Sequence, residues 1–299
     1  MKQRDLIELF TLAAIWGGSF LFMRVGAPEF GAIPLAGLRV IGAALVMLPL
    51  LALRGELGSF VKNWKPIMLL GFTNSALPFM FFSYAALTIT AGLSAIFNAA
   101  APLFGAVIAW LWLRDKLTAA RTFGLVIGFL GVFGLAYSRA SVKAGVDGSG
   151  AVFAVLACVV ATISYGFSAN FTKRYLTGVA PMAVAGGSQV GAALVMLVPT
   201  AVMWPSVMPG VLAWTNLALL AVVCTGLAYI LYFRLIANVG PANAITVTFL
   251  VPAFAVAWGA LFLGETITMQ TVLGCAVILF GTSLATGFLP RPRRVPMET

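Results

Sequence analysis

The chain of 299 residues is 62% hydrophobic and 9% charged, with a formal net charge of +10 and a mean hydropathy of +1.05. Soluble domains carry about 25% charged residues, so this composition excludes a water-soluble enzyme or binding module and indicates an all-α integral membrane protein. The basic excess comes with no nucleic-acid motif, and its expected partners are the anionic headgroups of a lipid bilayer.

Ten apolar stretches, each long enough to cross a hydrocarbon core of about 30 Å as a helix, are expected at 6–26, 33–53, 66–87, 92–113, 120–138, 150–173, 181–203, 214–236, 242–263 and 269–288. The connections between them are too short for an extramembrane domain. Segment 1 carries Trp16; its apolar run, Leu6 to Val25, is too long for a signal-peptide core and lacks a small-x-small cleavage site, so it is read as a retained helix.

Segment 2 places Arg39 about 9 Å along the helix from its outer end, at about 1.5 Å per residue. Polar groups at this depth are costly and are either satisfied by a neighbour or face a wet cavity. Two readings of Arg39 stand side by side: a planar fork of donors for a substrate carboxylate, or a side chain snorkelling to the outer headgroups.

Segment 3 holds Asn74, Ser75 and Pro78, followed by Phe79, Phe82 and Tyr84; segment 4 holds Asn98 one turn before Pro102. A proline cannot donate to the carbonyl four residues back, which makes such a site either a ligand-facing break or a plain kink. Segment 5 strings together Gly124, Gly128, Gly131 and Gly134, a small face that invites close packing on segment 10, with Gly274 and Gly281, or on a second chain. The expected state is a monomer or weak homodimer through segments 5 and 10.

Segment 6 contributes Tyr165 and Asn170; a lone Asn in a bundle bonds a neighbouring helix more often than a substrate. Segment 8 contributes Thr225, Tyr229 and Tyr232, and segment 9 sets Thr248 one turn before Pro252. A cavity walled by such rings suits a large apolar or aromatic solute. Cys158, Cys224 and Cys275 are scattered singly, so neither a disulfide framework nor a metal site is expected.

With the N-terminus cytoplasmic, alternate connections and termini hold Lys2, Arg4, Arg54, Lys62, Lys65, Arg114, Lys116, Arg121, Lys173, Arg174, Arg234, Arg291, Arg293 and Arg294 on one side. The other side holds only Arg24, Arg139 and Lys143. That asymmetry is what the positive-inside rule expects of an even-numbered bundle with both ends in the cytoplasm.

The heptapeptide GAALVML at Gly42 to Leu48 recurs at Gly191 to Leu197. Sliding the halves by 149 to 150 residues lays WGGSFLFMR at Trp16 on YGFSANFTK at Tyr165, and superposes Pro102 on Pro252, Asp115 on Glu265 and Thr118 on Thr268. Ser188, with Gln189 next to it, falls on Arg39. The chain is therefore read as two copies, 1–140 and 141–299, the second ending in a short basic tail. Five helices per copy is an odd number, so the copies cross the membrane in opposite senses. Inverted repeats are the architecture of secondary transporters, in which two halves open a pathway alternately to each side; a channel is the other reading.

These motifs, with PLAGLRVIGAALV in segment 2, NAAAPLFGAVIAWLWLRDKLT across segment 4 and FLVPAFAVAWGALFLGETIT across segment 9, resemble the EamA-type ten-helix permeases of the drug/metabolite transporter superfamily. Within it the chain is most similar to the YddG-type amino acid exporters. The resemblance implies a multi-pass permease of a bacterial inner membrane, with helices 5 and 10 at its periphery and no cofactor.

The eight acids, Asp5, Glu8, Glu29, Glu56, Asp115, Asp147, Glu265 and Glu298, are all expected in termini, loops or helix ends, and there is no His. Proton-coupled carriers use a titratable relay within the membrane, so uncoupled facilitated diffusion of amino acids and similar metabolites is the first expectation. A proton-coupled multidrug exporter, with Glu8 or Glu265 as the coupling acid, is the alternative. An intramembrane enzyme is remote, because neither a His-assisted nucleophile nor a paired-carboxylate site can be assembled. The expected substrate site comprises Trp16, Arg39, Asn74, Phe79, Tyr84, Asn98, Tyr165, Asn170, Tyr229 and Thr248, with Pro78, Pro102 and Pro252 as hinges.

Overall fold

The structure, a computed structural model, describes residues 2–142, 148–240 and 244–287, and their side chains apart from 138–142 and 148–149. The side chain of Arg139, together with Lys143, Asp147, Glu298 and the basic tail bearing Arg291, Arg293 and Arg294, lies outside the described residues.

The described residues form helices and no strand. The membrane helices are α1 (Gln3–Phe30), α2 (Ala32–Leu53), α3 (Trp64–Ala85), α4 (Ala91–Leu113), α5 (Ala119–Val142), α6 (Gly148–Tyr175), α7 (Pro181–Val202), α8 (Val211–Val239), α9 (Val247–Leu263) and α10 (Met269–Thr286). Nine contain a span of 18 residues or more that is apolar enough to cross a bilayer, and α9 is an apolar helix of 17 residues. A short helix, Leu57–Lys62, which the hydropathy pattern does not announce, lies between α2 and α3.

Local chemistry sets the ends. Gly31 and Gly240, at φ of 80° and 82°, close α1 and α8 in a region that only glycine enters without strain. Thr118 and Thr268 accept from the backbone N–H of Arg121 and Thr271 and so cap α5 and α10, which accounts for the match between these threonines.

We call the side on which α1 begins the near face and the side on which it ends the far face. Every described polar contact between helix ends joins groups that the odd–even count places on one face. Glu8 meets Arg234, and Lys173 meets Asp115, on the near face; Glu29 accepts from Gly210 N–H on the far face.

Helix α1 packs on α9 as α6 packs on α4; α2 packs on α8 as α7 packs on α3; α3 packs on α6 as α8 packs on α1; α2 pairs with α7, and α5 with α10. Each of these pairings recurs when every helix is exchanged for the one five places along. The correspondence reaches single residues. A Cβ on Gly17 would lie 2.7 Å from Phe254 Cβ, and one on Gly166 would lie 2.6 Å from the Gly105 nitrogen and 2.9 Å from the carbonyl carbon of Phe104.

Three of the four glycines of α5 pack inside the chain: a Cβ on Gly124 would lie 2.5 Å from Ala285 N, Gly281 backs onto Gly128, and a Cβ on Gly131 would lie 2.9 Å from Ile278, whereas Gly134 is exposed with open space beside it.

The apolar core is one large cluster reaching toward the far face, with smaller clusters beside it. One of these joins Ala36, Val40, Phe79 and Met196 of α2, α3 and α7. Three lie toward the near face, of which one joins Met47, Leu51 and Met182 of α2 and α7 and shares Phe60 and Val179 with its neighbour on α3 and α6. Outside α5 and α10, one large cluster draws on the far halves and midpoints of α1, α2, α3, α4, α6, α8 and α9, including Phe20, Phe30, Leu35, Phe82, Ile89 and Leu217. Toward the near face, Leu9, Leu12, Leu235 and Val247 join α1, α8 and α9, while Ile67, Leu70, Phe171 and Leu176 join α3 and α6 in a separate cluster.

Candidate functional site

The proline in α3 explains a local winding that positions the site. Pro78 has no N–H for the Asn74 carbonyl, and Phe72–Ala76 is wound as a π-helix, with the Leu77 N–H reaching back five residues to the Phe72 carbonyl. Helix α8 has a π segment at the corresponding place, Leu219–Leu227, without any proline. There the Thr225 hydroxyl donates to the Leu220 carbonyl at 2.9 Å. π segments turn side chains out of the ordinary 3.6-residue sequence of faces, and these two turn Ser75 and Thr225 inward.

Arg39 sits in the far half of α2, beside the small cluster of Ala36, Val40 and Phe79. It is 4% exposed, so it does not snorkel to headgroups. Its Nε donates to Thr225 Oγ1 at 3.0 Å, its Nη1 lies 3.6 Å from the Met23 sulfur, and its guanidinium carbon stands 3.6 Å over the centre of the Phe79 ring. The hydroxyls of Tyr165 and Tyr229 and the thiol of Cys224 lie within electrostatic reach of the cation. No carboxylate among the described residues forms an ion pair with it.

The equivalent contact in the second half is made by Gln189, the neighbour of the Ser188 that the heptapeptide alignment sets opposite Arg39. Gln189 Nε2 donates to Ser75 Oγ at 2.9 Å, whereas Ser188 bonds only to the Ala185 carbonyl of its own helix. The two halves thus repeat one device, a side-chain donor crossing to a hydroxyl on a π segment, with a cation in one half and a neutral amide in the other. Asn74 Nδ2 approaches the Tyr229 hydroxyl at 3.4 Å and closes the gap between the π segment of α3 and α8.

Of the residues singled out from the sequence, Arg39, Asn74, Phe79, Tyr165 and Tyr229 are therefore brought together. Tyr165 stacks on Phe82, with ring centres 6.2 Å apart. Trp16 lies nearby but toward the near face, tilted against Tyr232 at 5.2 Å.

Others stand apart. Tyr84 is 40% exposed at the far end of α3. Asn170 donates to the carbonyls of Gly105 at 2.8 Å and Gly166 at 2.9 Å, which bolts α6 to α4 at their glycine contact. Asn98 is half-buried at the end of the first part of α4, which breaks at Ala99 and Ala100 just before Pro102. Thr248 donates to the Ile245 carbonyl of its own chain segment, and α9 runs unbroken through Pro252. Pro102 and Pro78 thus mark changes of winding, and Pro252 does not.

Sequence reasoning places all the acids at ends, but two are enclosed: Asp5 and Glu8 are buried in the first turns of α1. Glu8 is held by Arg4 and by a two-pronged contact from Arg234, whose Nε donates at 3.0 Å. Asp5 accepts from Asn238 at 3.5 Å. A second polar strand, absent from the sequence reading, ties α6 to the π segment of α3: Ser164 donates to the Thr73 carbonyl at 2.6 Å, and Ser168 to Thr73 Oγ1 at 2.8 Å. A ring-lined cation with no carboxylate partner among the described residues, where five helices meet, is chemically suited to pairing with an anionic group of a small molecule.

Comparison with known proteins agrees with this layout. The sequence matches the EamA-like transporter family twice, over residues 6–137 and again over 152–287. It is 24% identical over 287 residues to YoaV, an uncharacterized transporter of Bacillus subtilis, covering 94% of this chain and 96% of that protein. It is 26% identical over 293 residues to YedA, an uncharacterized inner membrane transporter of Escherichia coli K12, covering 96% and 93% of the two chains. A solved crystal structure shares the fold with a TM-score of 0.68 over 98% of this chain and 100% of that one, at 17% identity.

Proposed function

This chain belongs to the EamA-like transporter family, and we propose that it moves amino acids and similar carboxylate-bearing metabolites out of a bacterial cell by alternating access. The observation that carries this reading is Arg39: a buried cation with a ring on one side, a hydroxyl on another and no carboxylate among the described residues paired with it. Burying an unpaired charge costs several kcal/mol. A solute carboxylate supplies the missing partner through paired hydrogen bonds, and the rings of Phe79, Tyr165 and Tyr229 favour large apolar or aromatic side chains on the solute.

Two inverted five-helix repeats, 1–140 and 141–299, account for the exchange symmetry of the helix pairings and for the twofold family match. A core whose largest cluster lies toward one face, with smaller clusters toward the other, favours a carrier at one end of its cycle over a channel, which does not need such a difference. The excess of Lys and Arg on the near face favours that face as cytoplasmic, with both termini there. The YddG-type exporters remain the finer assignment.

Transport is uncoupled in this reading. Glu8, the most enclosed of the near-face acids that could take up a proton, is already neutralised by Arg4 and Arg234. Counterflow of labelled threonine, methionine and aromatic amino acids into proteoliposomes, with and without a pH gradient, tests it. Uptake that ignores the gradient is expected. Gradient-dependent uptake would refute the uncoupled mechanism, and no uptake of any amino acid would refute the substrate class and favour drug-like solutes.

A further inference from the structure

The two elbows α4–α5 and α9–α10 are built alike and used differently. Arg114 and Gly264 end α4 and α9 in the left-handed region, at φ of 58° and 63°. The following acids then fold back in the same way, Asp115 N–H donating to the Ala109 carbonyl at 3.2 Å and Glu265 N–H to the Gly259 carbonyl at 3.1 Å. From this common backbone the side chains part. Asp115 pairs with Lys173 of α6 at 3.1 Å in an exposed near-face contact. Glu265 instead crosses the far face to the other half of the chain, where its carboxylate accepts from the N–H groups of Ala91 at 2.8 Å and Gly92 at 3.4 Å.

Four observations place that crossing at the closed end of the pathway. Ala91 and Gly92 begin α4, where free N–H groups and the helix dipole favour an anion. Beside them a Cβ on Gly92 would lie 2.7 Å from Val256, so α4 and α9 are in close contact next to the carboxylate. The largest apolar cluster crosses between the two halves there, with Ala91, Leu93 and Val251 among its members, whereas the near-face core is split into three smaller clusters, two of which meet through the partly buried Phe60 and Val179. Finally, the Glu265 carboxylate lies against Gly259, in space that a Cβ would fill, while the position corresponding to Gly259 in the other half is Ala109. The outer elbow is shaped for a long carboxylate laid over a glycine, and the inner one is not.

We propose that Glu265 is the latch of the far gate: it holds α4 against α9 while the near side is open, and must leave the start of α4 before the far side can open. The latch rests on the transporter reading for its purpose, though its geometry can be tested without any solute. Helix-cap carboxylates typically shift an equilibrium by about five- to tenfold, and the same factor is expected here in the ratio of open to closed far gate.

The test is a distance measurement by pulsed electron resonance between nitroxides at Leu87 and Ile267, both exposed on the far face. The full chain is used, reconstituted without solute, with Cys158, Cys224 and Cys275 replaced by alanine. The parent should show a dominant short distance. Glu265→Gln, and separately Gly259→Ala, which keeps the acid but displaces it, should each raise the long-distance fraction about fivefold relative to the short one. Asp115→Asn should leave the distribution unchanged. Unaltered distributions in whichever of Glu265→Gln and Gly259→Ala reconstitutes as a folded protein would overturn the latch. Counterflow that fails for every amino acid while these distances shift would overturn the substrate class and leave the latch intact.

Discussion

Replacing Arg39 by methionine should separate transport from stability. The guanidinium has a charged hydrogen bond to Thr225 at 3.0 Å, of a kind worth about 1.5–3 kcal/mol. Its carbon stands 3.6 Å over Phe79, and a desolvated cation–π contact adds about 2 kcal/mol. Against these stands a desolvation cost of several kcal/mol for a buried charge without a counter-ion. The sum lies within about 2 kcal/mol of zero. Methionine, an apolar chain of similar reach next to Met23 and Phe79, restores packing without the charge. Thermal unfolding of the detergent-solubilised variant should therefore occur at or above the parent temperature. A solute carboxylate, by contrast, loses a buried charged partner worth about 2–5 kcal/mol, a weakening of about 30-fold or more in half-saturation. Arg39→Lys keeps the charge but not the planar fork and should fall between the two. Counterflow over a concentration series reads the affinity. If Arg39→Met keeps the parent half-saturation, or if it unfolds far below the parent while still binding normally, the cation is a structural element and the assignment of the site fails.

Three further outcomes follow from the packing. Asn170→Ala removes two bonds between or along helices, and should lower stability by about 1 kcal/mol with no change in half-saturation, read by thermal unfolding and counterflow together. Gly17→Ala and Gly166→Ala place a Cβ against backbone atoms of α9 and α4 at 2.9 Å and 2.6 Å, so both should cost about 1–3 kcal/mol through overpacking and lower folded yield to a similar extent; a large effect in one alone would contradict the matched roles. Glu8→Gln should lower stability by about 1 kcal/mol, because Arg234 is half-exposed and water replaces part of the pair. Its flux should remain indifferent to a pH gradient, and a gradient response gained or lost would reinstate Glu8 as a coupling group.

Much of the frame is legible in the sequence because it depends on length, polarity and small residues at fixed spacing. The matched glycines Gly17 and Gly166 face matched neighbours, and the matched threonines Thr118 and Thr268 cap matched helices. What the sequence does not show is winding. The π segment of α8 has no proline to announce it, so the inward turn of Thr225, and with it the partner of Arg39 186 residues away, emerges only in the packed structure. Helical phase accounts for other differences. Tyr84 follows Phe82 by two residues, and residues two apart do not share a face; Phe82 enters the core and Tyr84 points away from it. Asn98 and Thr248 align in sequence, but α4 breaks after Asn98 whereas the turn in the ninth segment falls at Ile245 and Thr246, ahead of Thr248.

In the proposed function, the departures from symmetry carry the weight. A carrier that must present one site to two faces gains from two halves that pack alike, because then either end can close with the same contacts. A solute with a single carboxylate has no such symmetry, and its site must break the equivalence of the halves. Arg39 and Gln189 do so while keeping the same crossing to a hydroxyl, at Thr225 and Ser75. Glu265 over Gly259, against Asp115 beside Ala109, breaks it a second time at the two elbows, where the proposed latch lies. With a longer carboxylate in one elbow than in the other, the closed states of the two faces need not be equally stable, and the resting orientation of the carrier becomes a property that these few residues can set.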